Sequence, residues 1–212
     1  MSIHHRGQIA FPEFSGARCY MMPFIQGRAD SLPEDLAPYA GIVESQVLEG
    51  QAGEIGLITI DESFVAAGTS QRGYGKGDRT IHTEACLRRE GLYAWGGGPT
   101  WGPRPHVQLQ PEVRVLIANS IDETCMLWDQ DVMDTTADGD LSLRADEFPF
   151  ETGQLMRAGD VYEIGIFTPH EPIAQKLSGN RQFFRIVGKG VTGREEYFTR
   201  NPVLEARGIF VN

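Results

Sequence analysis

The chain has 212 residues, 41% of them hydrophobic and 23% charged, with a formal net charge of −10 and a pI near 5.0. This is a globular composition, long enough for one well-buried domain, and its acidity argues against a phosphate-binding surface for DNA or RNA. No apolar run is long enough to span a bilayer, and the start, MSIHHRGQIAFPEF, lacks the apolar core of a secretory signal.

In chain order, the His4-His5 doublet sits in a polar start that reads as a solvated tail. Residues 20–25 are apolar enough to cover the core or a partner subunit, which leaves a homodimer open. Residues 31–44 predict a short helix, with Ser31 as N-cap, Glu34 completing a capping box and Pro38 interrupting it. Residues 54–60 predict a strand, with 63–67 as its continuation. A Gly-rich basic loop follows at 68–77, then a strand at 79–85. Residues 91–105 form a long Gly/Pro/Trp loop, where Trp95 and Trp101 either line a lid or cover one end of the core. Strands at 113–120 and 124–129 flank a turn at 121–123. Residues 130–146 are acidic and irregular, and Asp131, Asp134, Asp138 and Asp140 miss the spacing of a calcium loop. Strands at 160–167 and 181–187 precede a mixed tail.

Many short strands punctuated by Gly and Pro predict an all-β fold with a few short helices, a sandwich or barrel of which the double-sheet jelly roll is one form. Without repeats or low-complexity linkers, residues 1–212 read as a single domain. The cysteines, Cys19, Cys86 and Cys125, are odd in number and lack a CxxC. That spacing predicts a reduced, cytoplasmic protein with neither disulfides nor a zinc ribbon.

The chemistry concentrates at three places. On a strand, residues two apart share a face, so Thr80, His82 and Glu84 stand together, and Cys86 joins them if the strand continues. His170 follows Pro169 at the end of the 160–167 run, on the side of Tyr162, Ile164, Ile166 and Thr168. Two histidines and one carboxylate are the ligands of the facial triad that holds non-haem Fe(II) in oxygenases. The alternative is a polar surface strand and a core histidine at a turn. Arg181, Phe183 and Arg185 share a third face. An inward arginine needs a partner, which a dicarboxylate ligand would supply in a bidentate fork; otherwise the arginines face solvent or pair with acids such as Glu163. His106 is a candidate third imidazole. Among competing motifs, GxSxG, a P-loop and HExxH are absent, and Gly73-Tyr74-Gly75-Lys76-Gly77 lacks the dinucleotide spacing.

The order His82-Thr83-Glu84, Gly159-Asp160, Pro169-His170 and then Arg181 resembles the Fe(II)/2-oxoglutarate-dependent oxygenases of the double-stranded β-helix (cupin-like) superfamily. Their first motif is usually His-x-Asp, and His-x-Glu occurs in part of the family. The resemblance covers a jelly-roll core at about 54–187. It implies Fe(II) on His82, Glu84 and His170, and 2-oxoglutarate with its distal carboxylate on Arg181, or less favourably Arg185. It further implies oxidative decarboxylation of 2-oxoglutarate to succinate and CO₂, coupled to oxidation, by default hydroxylation, of a small-molecule substrate. The negative charge favours a neutral or cationic one. Two rivals stand beside it. One is a cupin-type metalloenzyme that adds His106 and does not use 2-oxoglutarate. The other is a metal-free β-sandwich binding module.

Overall fold

Strict alternation in two runs builds the main sheet. Along β3 (Ile55–Val65), Leu57, Thr59 and Asp61 face one side while Ile58, Ile60 and Glu62 face the other. Along β12 (Gly179–Val187), Arg181, Phe183, Arg185 and Val187 oppose Gln182, Phe184 and Ile186. The two strands pair antiparallel, Arg185 opposite Thr59 and Phe183 opposite Asp61, and β12 pairs on its other edge with β7 (Arg114–Asn119). The computed structural model describes residues 3–70, 79–87, 92–96, 106–135 and 138–210. In it the six-stranded sheet runs β1 (His4–Gln8), β10 (Asp160–Gly165), β7, β12, β3 and β2 (Arg18–Ile25), with every pairing antiparallel.

Both faces of this sheet are covered. Ile58, Ile60, Leu116, Ala118, Phe184 and Ile186 pack under residues 29–45 through Leu32, Leu36, Tyr39, Ile42 and Val43. The opposite face, with Leu57, Val115, Ile117, Ile164 and Val187, closes on a second layer through Trp95, Leu127, Ile166 and Phe167. In that layer β11 (His170–Pro172), β8 (Cys125–Leu127) and β9 (Gln154–Leu155) form one sheet. A single antiparallel bridge, His82 to His170, joins β11 to the segment leading into β4 (Ala85–Leu87). A four-stranded sheet continues from there as β4, β5 (Tyr93–Trp95), β6 (Gln108–Leu109) and β13 (Val191–Thr192).

The fold is therefore mostly antiparallel β with few short helices. Among the described residues no helix is long and apolar enough to cross a membrane, and all three cysteines are buried. Several local expectations are corrected. The 31–44 helix is two 3₁₀ turns, Ala29–Ser31 and Glu34–Tyr39, followed by α1 (Ala40–Ser45). No capping box forms, because the Ser31 hydroxyl donates to the Arg28 carbonyl and accepts from the Ile25 N–H. His4 and His5 lie in an edge strand held by β10, and His5 Nε2 is 3.3 Å from Asp160. The 160–167 strand ends at Gly165, and the chain crosses to the second layer before His170 starts β11. Residues 20–25, part of the outer strand β2, cover this chain's core, one of the two roles expected of them. The glycine-rich segment 73–77 and Trp101 lie outside the described residues.

Glu62 fastens the covered face. Its carboxylate accepts from Tyr39 Oη (2.7 Å), Gln182 Nε2 (2.9 Å) and the N–H groups of Ser15, Gly16 and Ala17 (2.6, 2.6 and 3.0 Å). Burial pushes its pKa up, but these donors outweigh it and hold the group at about 2. A folded-state pKa below the unfolded one gives stability that is complete above about pH 4.5 and is lost as the pH falls toward 2. Urea midpoints measured from pH 7 to pH 2 are expected to show this loss. Glu62→Gln should be less stable at pH 7 by roughly 2–4 kcal/mol, because donors built for an anion are left poorly matched, and it should lose this part of the acid dependence.

Candidate functional site

The inner face of the main sheet changes character along its length. Near one end it is Leu57, Val115 and Val187; one residue pair further along it gains Thr59 and Arg185, then Asn119, and then Arg181. Sheet pairing and closure have already buried this end, so polar groups are trapped where apolar ones would pack. The result is a cleft of about 760 Å³ between the layers, lined by His82, Glu84, His170, Arg181 and Arg185 together with Tyr20, Thr59, Asp61, Asn119 and Phe183. This lies within the range of small-molecule sites, about 300–1,000 Å³.

The two imidazoles meet because their strands do. The N–H of His82 donates to the His170 carbonyl (3.0 Å) and the N–H of His170 to the His82 carbonyl (2.9 Å). This brings the ring centroids within 4.1 Å. Each ring is oriented in the same way. His82 Nδ1 lies 2.8 Å from the Thr80 carbonyl and His170 Nδ1 lies 3.0 Å from the Thr168 carbonyl. A carbonyl oxygen only accepts, so each Nδ1 carries its proton, and in the neutral ring the lone pair is on Nε2. A carbonyl accepting from the other ring nitrogen in this way is how metal-binding histidines are commonly set. Glu84 Oε1 is 3.9 Å from His170 Nε2, but its nearer partner is Arg185 Nη1 at 2.8 Å. Among the described residues, no three His, Cys, Asp or Glu side chains are already gathered around a metal position. The donor chemistry nonetheless fits a divalent cation: two imidazoles of fixed tautomer and a carboxylate on one wall of one cleft.

The arginines differ in how well they are satisfied. Arg185 donates to Glu84 and, through Nη2, to Thr59 Oγ1 (3.2 Å), and its guanidinium lies 4.7 Å from the centre of the Trp95 ring. Arg181 donates from Nη2 to Asn119 Oδ1 (2.6 Å), while its buried Nη1 has no hydrogen-bond partner among the described residues and stands 3.9 Å from Asp61. Burial pushes its pKa down, with Asp61 opposing. A guanidinium does not give up its proton in a protein, so the cost of burial is offset by charge pairing, here with Asp61, rather than by neutralisation. Glu163, considered above as a partner for these arginines, instead pairs with Arg6 and Arg114.

Other expected neighbours are elsewhere. His106 is exposed and does not line the cleft; a Cβ on Gly193 would collide with its carbonyl, so a close backbone approach holds it beside Gly193, just past β13. Cys86 points away and donates to the Ala94 carbonyl, because the segment is irregular until Ala85 and alternation does not carry through. Cys125 takes a place in the cleft wall, with its thiol pushed up to about 12 by burial against the opposing pull of Arg181. It is therefore a neutral wall group and no nucleophile at neutral pH. Trp95 is a fully buried wall behind Arg185, its Nε1 donating to Tyr20 Oη (3.1 Å). The residues missed from sequence are Thr59, Asn119 and Tyr20. Thr59 had a signal, since Leu57, Thr59 and Asp61 alternate against Ile58, Ile60 and Glu62.

The acidic segment also contributes. The Thr83 N–H donates to the Gly139 carbonyl and the Leu141 N–H to that of Ile81, so residues 139–141 run beside the His82 segment. Gly139 is required there: its φ is +75°, and a Cβ would stand 2.9 Å from the Thr83 carbonyl. Compared with known protein families and with curated proteins, the chain matches no family model and no curated protein.

A single bridge is a weak way to hold two strands, and side chains reinforce it. Glu171, next to His170, accepts from Arg79 Nε and Nη2 (2.9 and 2.6 Å) and from the Thr80 N–H (2.9 Å). Arg79 in turn stacks between Phe150 and Trp128, at 4.1 and 5.2 Å. Arg79→Met is expected to speed amide hydrogen exchange at His82 and His170 by roughly 10–100-fold, the size of a lost charged hydrogen bond. Exchange in the centre of β12 should change less, by site-resolved measurement.

Proposed function

We propose that the protein is a non-haem Fe(II)- and 2-oxoglutarate-dependent oxygenase that oxidises a small molecule. The observation that carries this reading is one cleft holding two imidazoles with matched tautomers, a carboxylate within 4 Å of one of them, and a buried arginine whose Nη1 has no hydrogen-bond partner among the described residues. Strand order adds support. Among β3, the His82 segment, β7, β8, β9, β10, β11 and β12, one layer orders as β3, β12, β7, β10 and the other as the His82 segment, β11, β8, β9. Winding a chain back and forth between two antiparallel layers in this way is the layout of a jelly roll, the core expected of a double-stranded β-helix.

In this reading His82, His170 and Glu84 hold Fe(II), which when bound supplies the oxygen chemistry that side chains lack. Arg181 binds the distal carboxylate of 2-oxoglutarate through its unsatisfied Nη1, and Asn119 keeps the guanidinium plane aimed along the cleft. Phe183 lies against Arg181, its ring centre 5.1 Å from the guanidinium carbon, and limits water around it. Thr80 and Thr168 present their carbonyls to the histidines and so keep both rings ready to bind. A second reading, a metal-free anion-binding module, is favoured by the Glu84–Arg185 contact. The four-ligand cupin arrangement is disfavoured by the position of His106.

Anaerobic titration of the metal-free protein with Fe(II) and 2-oxoglutarate is expected to give a weak visible charge-transfer band. His82→Ala and His170→Ala should abolish it, and Arg181→Ala should raise the 2-oxoglutarate concentration needed by about tenfold or more. Metal binding without the band would leave a metalloenzyme that does not use 2-oxoglutarate. Absence of metal binding would leave the anion-binding module.

A further inference from the structure

We propose that Asp61, held between Arg18 and Arg181, is a specificity-determining residue that sets how strongly the buried Arg181 takes a carboxylate ligand. This rests on the reading of Arg181 as the ligand's anion site. Asp61 on β3 stands opposite Arg18 on β2 and opposite Phe183 on β12, so the three share the inner face of the sheet. Asp61 Oδ1 lies 2.9 Å from Arg18 Nε, while Oδ2 accepts from Ser63 Oγ (3.3 Å) and stands 3.9 Å from Arg181 Nη1. The three side chains grade from solvent to interior: Arg18 is 66% exposed, Asp61 22% and Arg181 5%. Asp61 is thus the carboxylate that links a buried cation to an exposed one.

The two contacts differ in kind. At 2.9 Å the Arg18 contact is within hydrogen-bond reach, whereas at 3.9 Å the Arg181 contact is Coulombic only. Arg181 Nη1 therefore keeps its N–H for a ligand, but a negative charge lies beside the place where that ligand is held. Two carboxylates sharing one nitrogen in a buried corner oppose each other. Arg18 relieves the opposition by drawing on Asp61 from the solvent side. Arg185 shows the contrast. It has Glu84 within hydrogen-bond reach at 2.8 Å, and β2 encloses it. One extra residue in β2, between Cys19 opposite Ile60 and Met22 opposite Ile58, makes a bulge that sends both Tyr20 and Met21 to the inner face. Met21 takes a left-handed φ of +49° there. Its Sδ lies 3.6 Å from Arg185 Nη2, and the Tyr20 ring centre lies 5.7 Å from the guanidinium carbon. Strand β2 thus gives Arg185 a sulfur and a ring, and gives the Arg181 end of the cleft a charge. Co-substrate and product of the proposed reaction both carry the distal carboxylate, so a resident carboxylate beside Arg181 lowers the affinity for both and favours their exchange.

Calorimetry with 2-oxoglutarate on protein supplied with Zn(II), and again without it, reads the Arg181 site without turnover. Asp61→Asn keeps the size of the side chain and removes its charge. It is expected to bind 2-oxoglutarate about tenfold more tightly, the size of coupling found between neighbouring charged groups. 2-Oxopentanoate has the oxo-acid end but no distal carboxylate, and should gain nothing from the substitution, which a general loosening of the cleft would not predict. Arg18→Met should weaken 2-oxoglutarate binding by about threefold, and by less in the Asp61→Asn background. It carries the test if Asp61→Asn does not fold, as judged by thermal unfolding. Wild-type binding of 2-oxoglutarate with no gain in Asp61→Asn, with an equal gain for 2-oxopentanoate, or with no loss in Arg18→Met overturns the proposal and leaves the oxygenase reading standing. No 2-oxoglutarate binding by the wild type, with or without Zn(II), overturns both.

Discussion

A guanidinium taken out of water must find acceptors or cost several kcal/mol, and β12 takes two of them out of water on the same face. The strand has hydrogen-bonded neighbours on both sides, β3 and β7, so its register is pinned and the period of two leaves no freedom about where Arg181 and Arg185 go. The cleft is organised around meeting that demand. β7 ends in Asn119 to receive Arg181, β3 offers Thr59 to Arg185, β2 bulges to bring Tyr20 and Met21 in, and Glu84 arrives from the second layer. Main-sheet pairing comes first physically, and the polar contacts of the site follow from it.

This ordering explains which parts of the molecule could be read from the sequence. Strands β3, β7, β8, β10 and β12 carry apolar alternation or apolar runs bounded by turn residues, a local signal that tertiary packing preserved. The bringing of His82, Glu84, His170, Arg181 and Arg185 to one cleft was legible for the same reason, since each lies on or beside such a run. The bulge in β2 was not, because YMMPFI reads as a plain apolar strand and nothing in it marks Met21 for a left-handed conformation. Cys86 was misplaced by extending alternation through residues 79–84, where a single bridge replaces a ladder. The His4-His5 strand was hidden because an edge strand exposed on one side needs no apolar pattern. Ser31 looked like a cap because spacing alone cannot say whether its hydroxyl will reach forward to an N–H or, as happens, back to the Arg28 carbonyl.

The irregularity around His82 has a physical basis. A continuous ladder between the His82 segment and β11 would place successive residues in fixed opposition and fill the gap with side chains. One bridge brings the two rings side by side, their planes tilted by 59°, and leaves the flanking residues for other work: Thr80 and Thr168 turn their carbonyls to the rings, and Thr83 pairs with Gly139 on the far side. The lost ladder bonds are compensated outside the cleft, where Arg79, Glu171, Trp128 and Phe150 form a charged and aromatic clamp away from the ligand space. Rigidity is thus supplied from behind the site, which leaves its open side to a ligand.

The two arginines then separate into different tasks although they are one residue apart on the same face. Arg185 has its anion within the chain and is enclosed by rings and a thioether, so a ligand displacing Glu84 would have to replace a 2.8 Å charged hydrogen bond in a dry pocket. Arg181 has an amide oxygen on one nitrogen and open demand on the other, so a carboxylate arriving there adds a contact without removing one. The overall charge of −10 repels a dianion at long range. An anion entering this cleft would therefore be held by the short-range, desolvated hydrogen bonding of Arg181 rather than drawn in by electrostatic steering from the whole protein.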